Sequence, residues 1–164
     1  DVDSIIKEHK VNLWASLPCR PWSQWNELNG RKLGPKFRAY LEVLRDESLE
    51  LLRVFAQLAR KVTESGGTVS FEWPAYCVGW EVTELNDVLQ ELGFEQIICH
   101  GCAFGLSHCG RPIKKPWRIA SNHQPLLNLL NKYKCTCPRG EHVPCSGSAT
   151  SSSENYTYKK HRLS

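Results

Sequence analysis

A long amphipathic segment separates two short apolar runs, and this arrangement constrains the fold most strongly. Residues 36–64 place apolar side chains at steps of three and four, as a helix with one buried face does. The stripe comprises Phe37, Leu41, Leu44, Leu51, Phe55, Leu58 and Val62, with Ser48 as its polar interruption. It offers too few heptads to favour a coiled coil. VNLWASL (11–17), which precedes the helix, predicts a buried strand that ends at Pro18. TVSFEW (68–73), which follows the helix, predicts a second strand that ends at Pro74. Strand, helix and strand in this order predict two parallel neighbouring strands.

Further elements continue the alternation of helix and strand. The pattern predicts a helix at 82–92, strands at 94–104 and 116–121, and a short helix at 126–133, with loop at 18–35. This order is typical of an α/β fold with a partly parallel sheet and helices on its faces. We expect an α/β domain over residues 1–134, followed at 135–164 by an irregular Cys/His-containing loop and a Ser/Thr-rich tail.

The composition narrows the classes of partner. Lys and Arg number 21 against 17 Asp and Glu, and the net charge of +4 permits a nucleic-acid partner. No apolar run reaches the ~20 residues of a membrane span, and the first residues lack the apolar core of a secretory signal. Eight cysteines without such a signal favour a reducing compartment. We therefore expect an intracellular, nuclear protein that is not secreted. The absence of methionine suggests a fragment or a processed product.

Two motifs leave the predicted sheet at one edge. Chemistry in parallel sheets lies at the carboxyl ends of strands, where PCRPWS and EWP both begin. If the strands are neighbours, Cys19 and Glu72 lie close together. A cysteine held after Pro18 suits a nucleophile, although a buried cysteine in a turn is the alternative. For Glu72 the alternative is a carboxylate that caps a loop.

Three motifs carry a resemblance to a known family over roughly residues 11–122. LPCRPWS resembles the nucleophile loop of the C5-cytosine DNA methyltransferases, in which Pro-Cys is followed by Pro, an aromatic residue and Ser. FEWP resembles their next hallmark, a strand that ends in Glu-Asn-Val or Glu-Asn-Pro. GCAFGLSHCGRPIKKPWRIASN (101–122) looks like a segment of phage-type and transposon-borne relatives. The resemblance implies part of a Rossmann-like methyltransferase sheet.

The resemblance also implies roles for residues. The Cys19 thiolate would attack carbon 6 of a flipped-out cytosine, and Glu72 would hydrogen-bond the ring, so that carbon 5 takes a methyl group from S-adenosylmethionine. Arg20, in place of the usual Gln, and Ser23 would complete the catalytic loop. Trp73 stands where the family has Asn. A pocket walled by Trp73 and Trp22 would raise the pKa of Glu72 by desolvation.

The sequence offers residues for nucleic-acid contacts but none for the cofactor site. Lys114, Lys115 and Arg118 in KKPWR would contact phosphates and Trp22 a base, with DNA favoured over RNA; a solvated basic edge is the alternative. No aromatic-x-Gly-x-Gly loop precedes PCRPWS, so an upstream segment or a partner chain would supply the S-adenosylmethionine site. Otherwise the chain is an inactive relative from a mobile element, or its Trp-rich loop docks a protein.

Cysteines near the C-terminus have the spacing of metal ligands. Cys135, Cys137, His142 and Cys145 form C-x-C-x4-H-x2-C, and three thiolates with an imidazole satisfy tetrahedral zinc. Unligated thiols are the alternative. A second Cys/His-rich region comprises Cys99, His100, Cys102, His108, Cys109 and His123. Core cysteines with surface histidines are the favoured interpretation of this region, and the alternative is that one or two of its residues complete a site with the tail.

Overall fold

A four-stranded mixed sheet lies at the centre of the computed structural model, which describes residues 2–144. Its order is β1-β2-β6-β3, with β1 at Leu13–Ala15, β2 at Val69–Pro74, β3 at Glu95–His100 and β6 at Pro116–Ser121. β1 and β2 are parallel, whereas β6 runs antiparallel to both of its neighbours. β4 (Ser107–His108) and β5 (Arg111–Pro112) form a separate hairpin. The predicted parallel pair is confirmed within a mixed α/β fold.

The described residues contain four α-helices. These are α1 at Val2–Glu8, α2 at Trp25–Glu64, α3 at Thr83–Glu91 and α4 at Gln124–Leu130. The loop predicted at 18–35 is wrong beyond residue 24, because α2 already begins at Trp25. A non-helical Gly34 (φ 75°, ψ −160°) interrupts α2 just before Pro35, which cannot donate a helical hydrogen bond. The Gly-Pro pair therefore indicates the interruption from the sequence alone, whereas the helical turns at 25–33 had no such signal.

The buried face of α2 is rotated slightly from the predicted stripe. Leu52 is 2% exposed whereas Leu51, which the stripe included, is 42% exposed. Ser48 is on the buried face, where its hydroxyl accepts the indole N–H of Trp22 at 2.7 Å. The apparent polar interruption therefore satisfies a buried donor.

Side chains of β2 alternate between two cores. Phe71 and Trp73 face α2 and α3, where their rings lie 4.9 Å apart and Trp80 meets Phe71 edge-on at 5.6 Å. On the opposite face, Ile119 of β6 packs with α4 in a smaller cluster. Because successive residues of a strand point to opposite faces, Glu72 belongs to that second side.

β1 is an edge strand of only three residues. The prediction of a buried strand at 11–17 is wrong for Trp14, which is 51% exposed. None of the helices in residues 2–144 combines the length and apolarity needed to cross a membrane.

Candidate functional site

The loop that carries Cys19 is held by hydrogen bonds on both sides. After β1 the chain enters a 3-10 turn at Arg20–Trp22, and the carbonyl of Cys19 accepts the N–H of Trp22 at 3.0 Å. The Asn26 amide at the start of α2 donates to the carbonyls of Arg20 (2.8 Å) and Pro21 (3.0 Å). The partly buried Cys19 is therefore fixed at the carboxyl end of β1.

Cys19 opens onto a surface cavity of about 370 Å³, which we call the Cys19 cavity. Ser23 also lines it. Trp25 and Tyr76 border it and remain 70% and 62% exposed, whereas Cys77 is 7% exposed. Thiols therefore lie inside a cavity that is bordered by exposed aromatic rings.

Glu72 lines a different cavity of about 360 Å³ on the opposite face of the sheet, together with Trp14, Phe104 and Trp117. We call it the Glu72 cavity. The hydroxyl of Ser16, just beyond β1, donates to Oε2 of Glu72 at 2.6 Å. A hydrogen bond between the two strand ends thus holds the carboxylate.

Trp22 and Trp73, which were expected to wall the pocket of Glu72, do not line the Glu72 cavity, where Trp14 and Trp117 lie instead. Trp73 is 1% exposed on the other face and donates its indole N–H to the carbonyl of Leu17 at 2.7 Å. Trp22 is 8% exposed and packs in the core, so it is not presented to a nucleic acid. Strand alternation is the reason, because Glu72 and Trp73 are adjacent in β2.

Cys19 and Glu72 nevertheless interact electrostatically. Burial raises the pKa of the Cys19 thiol and the Glu72 carboxylate raises it further, whereas the positive charge of Lys115 works in the opposite direction. Burial also raises the pKa of Cys77 to about 11. Both thiols therefore favour the neutral form, which is the weaker nucleophile.

Lys114 and Lys115 lie near the same edge of the sheet. Their side chains are exposed, and their carbonyls accept the N–H of Gly101 at 2.8 Å and 3.1 Å. Lys115 lines the Cys19 cavity, and its Nζ lies 5.4 Å from the ring centroid of Trp117 in the Glu72 cavity. Lys115 thus lines the Cys19 cavity and lies beside a residue that lines the Glu72 cavity.

Two predicted arginines stack on aromatic rings. The guanidinium of Arg118 lies 5.0 Å from the ring centroid of Trp80, and that of Arg20 lies 5.7 Å from Tyr40 of α2. Such cation–π contacts orient the arginine side chains. Arg20 is exposed and Arg118 is partly buried, so Arg20 is the more accessible to a phosphate.

A Cys3His group lies beyond the end of β3. Its members are Cys102, Cys135, Cys137 and His142, and their ligand atoms all lie within 4.8 Å of one another. The group could hold a metal ion such as zinc. Three predicted ligands are thus brought together with Cys102 from the second Cys/His-rich region. Cys145, the fourth predicted ligand, lies outside the described residues.

The thiols of this group perturb one another. Burial and hydrogen bonds with Cys135 and Cys137 raise the pKa of Cys102 to about 12. Burial also raises the pKa of Cys135. Hydrogen bonds from the N–H of Cys137 and from the thiols of Cys102 and Cys137 outweigh that effect, so the pKa of Cys135 is lowered. Nε2 of His142 lies 3.2 Å from Sγ of Cys135. The four ligand atoms are therefore close enough to interact with one another.

Sequence reasoning missed Ser16, Asn26 and the place of Cys102. Ser16 bonds the distant Glu72 carboxylate, and Asn26 bonds backbone carbonyls. The motifs LPCRPWS and FEWP do not indicate either contact. Cys102 was a candidate among six Cys and His residues, and only the fold selects it.

A scan against protein-family models and searches of curated proteins and of solved structures find no match to this chain. The candidate function therefore depends on the site residues, their geometry and the motif resemblance.

Proposed function

We propose that this chain is the base-handling part of a cytosine-C5 methyltransferase-like domain, with Cys19 as its nucleophile. The parallel pairing of β1 with β2 carries this proposal, because Ala15 pairs with Phe71 and both motif loops leave the sheet nearby. Glu72 lies close enough to act on the Cys19 thiol electrostatically. The two residues line different cavities, so the strand pairing and this electrostatic influence are the support that the motif pair LPCRPWS and FEWP has.

The Cys19 cavity has the chemistry of a pocket for a planar base. Exposed Trp25 and Tyr76 border it, and aromatic rings stack on unpaired bases. Lys115 supplies a positive charge for a nearby phosphate. A base would reach Cys19 only from single-stranded nucleic acid or after it flips out of a duplex.

The first chemical step is addition of the thiol to the pyrimidine. The sulfur forms a bond to carbon 6, the double bond between carbons 5 and 6 opens, and the ring nitrogen N3 gains a proton. The neutral Cys19 thiol must lose its proton, and we assign the Glu72 carboxylate to accept it and to protonate N3. Because Glu72 lines the other cavity, its side chain must leave the hydrogen bond with Ser16 and turn toward a base at Cys19 for this step to occur.

Completion of the reaction requires a methyl donor. S-adenosylmethionine would supply the methyl group for carbon 5, and Cys19 would leave carbon 6 when the carbon 5 proton is lost. We assign no S-adenosylmethionine-binding residue among residues 2–144. An upstream segment or a partner chain supplies that site in our proposal.

A covalent trap tests the addition step without the methyl donor. Pyrimidin-2-one lacks the exocyclic amine of cytosine, so its carbon 6 accepts a thiol more readily. We expect the chain to form a denaturation-stable adduct with a single-stranded oligonucleotide that carries this base, as measured by intact mass. Cys19→Ser should abolish the adduct, and Glu72→Gln should slow its formation by about 100-fold or more.

Cys109→Ser is the matched control, since Cys109 is exposed and lines neither cavity. It should form the adduct at the wild-type rate. If the wild-type chain yields no adduct, or if Cys19→Ser reacts as fast as wild type, the nucleophilic role of Cys19 is wrong.

A second candidate function is a nucleic-acid-binding module without chemistry. The raised pKa of Cys19 favours it, because a binding module needs no thiolate. This candidate predicts that DNA binding survives Cys19→Ser and weakens as salt rises. Trp25→Ala should weaken single-strand binding by about 5- to 150-fold, since stacking on one ring is worth about 1–3 kcal/mol.

Fluorescence anisotropy across a salt series would measure this binding, on DNA and RNA of one sequence. Replacing Lys114 and Lys115 together by alanine should reduce the salt slope by about 2, whereas Lys132→Ala, away from the lining of the Cys19 cavity, should change it less. Affinity that does not depend on salt would contradict both candidate functions.

A further inference from the structure

The Cys3His group joins two parts of the chain that are distant in sequence. Cys102 belongs to the 3-10 turn Gly101–Phe104 that follows β3, whereas the other three members come after α4. We propose that Cys102, Cys135, Cys137 and His142 bind one zinc ion, which fastens residues 133–143 to this turn. The site does not depend on the proposed reaction at Cys19.

The distances suit tetrahedral zinc after small side-chain movements. With zinc–sulfur bonds of about 2.3 Å, two thiolates on one tetrahedral ion lie about 3.8 Å apart. The ligand atoms here lie within 4.8 Å of one another, and the contact between Cys135 and His142 is 3.2 Å. Four protein ligands fill the coordination shell, so the zinc is structural and leaves no position for a substrate.

The surrounding hydrogen bonds hold the ligand segments in place. The N–H of Cys135 donates to Nδ1 of His100 at 3.1 Å, and the N–H of His100 donates to the carbonyl of Tyr133 at 3.0 Å. The ring of Tyr133 stacks on Phe104 with centroids 4.2 Å apart. Outer contacts of this kind orient the ligands of structural metal sites.

A further hydrogen bond ties the end of the segment to the β4–β5 hairpin. The N–H of Val143, directly after the ligand His142, donates to the carbonyl of Pro112 at 3.0 Å. On the other side of the site, Gly101 precedes Cys102 and donates to the carbonyls of Lys114 and Lys115. Zinc would therefore fix the hairpin and the two lysines together with the C-terminal segment.

A disulfide accounts for this cluster less well than a metal does. A bond between two of the thiols would leave the third thiol and His142 without a role. Zinc with three thiolates and one imidazole carries one net negative charge. Lys114 lies close enough to act electrostatically on Cys135 and partly balances that charge.

Cobalt(II) substitution of the full 164-residue chain tests the ligand set. The reduced wild-type protein should bind about one zinc or cobalt ion and show the visible bands of tetrahedral cobalt. Sulfur-to-cobalt charge-transfer absorption should correspond to three thiolates. Cys102→Ser, Cys135→Ser and Cys137→Ser should each weaken metal binding by more than about 100-fold, beyond the cost of outer-shell changes.

His142→Cys provides a test that does not depend on loss of the site. This variant should still bind cobalt, with charge-transfer absorption raised by about a third because four thiolates now coordinate it. Cys109→Ser should leave the wild-type spectrum unchanged. A wild-type chain that binds no metal under reducing conditions, or a His142→Cys spectrum identical to wild type, would overturn the proposal.

Cys145→Ser distinguishes between Cys102 and Cys145 as the fourth zinc ligand beside Cys135, Cys137 and His142. We expect it to retain metal, since Cys102 fills that position. If Cys145→Ser loses the metal while Cys102→Ser keeps it, the ligand set proposed here is wrong.

Discussion

Replacing Gly67 by alanine should destabilise the chain by about 3 kcal/mol, at the upper end of what overpacking usually costs. A Cβ atom at this position would lie 2.0 Å from the carbonyl oxygen of Val11 and 2.8 Å from Cγ1 of Val62. The first contact is with backbone, so no side-chain rotation relieves it. Gly67 also donates its N–H to the carbonyl of Val62 at 2.9 Å, where α2 gives way to β2. Urea unfolding monitored by tryptophan fluorescence would measure the loss.

Gly30→Ala is the matched control, with an expected effect of opposite sign. Gly30 lies within α2, and the nearest atom to a methyl group added there would be Cγ of Arg38 at 3.6 Å, an ordinary contact. Alanine at this position should raise stability by about 0.5–1 kcal/mol, because it restricts the unfolded chain and favours helix. Equal unfolding midpoints for the two variants would contradict the close packing described at Gly67.

Alkaline pH should destabilise the fold through Cys77. Burial raises the pKa of this thiol from 9.0 to about 11, so the folded chain keeps a proton that the unfolded chain releases. The stabilisation is complete below about pH 9 and disappears as pH rises through about 11. It amounts to at most about 3 kcal/mol, less where solvent in the Cys19 cavity screens the sulfur.

Chemical denaturation at a series of pH values would measure this effect as the difference between wild type and Cys77→Ser. The serine variant cannot ionise in this range, so its stability should fall less steeply between about pH 9 and pH 11. Cys109→Ser, which replaces an exposed cysteine, should follow the wild-type curve more closely. Parallel curves for wild type and Cys77→Ser would show that burial of Cys77 does not perturb its ionisation.

Local periodicity was sufficient to predict the order of the principal elements. The steps of three and four before Glu64 and the apolar run at 116–121 indicated α2 and β6, because each pattern reports one buried face. Such patterns do not predict the order of the strands in the sheet, because they report only the burial of each element by itself. β6 inserts between β2 and β3 and leaves β1 at an edge, and this exposes Trp14, which the apolar run suggested was buried.

In the candidate site, too, local patterns predict some features, whereas others depend on contacts between distant parts of the chain. The parallel pairing of β1 with β2, which the chain order predicts, explains why Glu72 influences Cys19 electrostatically, although the two residues line different cavities. Which face Glu72 occupies depends on its register against β6, where it pairs with Ile119, and the motif alone does not carry this register. Cys102 joins residues more than thirty positions later, so its partners became identifiable only in three dimensions.

The most direct test of a nucleophilic Cys19 is the position at which the pyrimidin-2-one oligonucleotide becomes attached. Digestion of the adduct and tandem mass spectrometry would distinguish Cys19 from Cys77, which lines the same cavity, and from the thiols of the Cys3His group. We predict that the modified peptide carries the nucleotide on Cys19 alone. Attachment at Cys77 or at a cluster cysteine, with Cys19 unmodified, would contradict the proposed base-handling site.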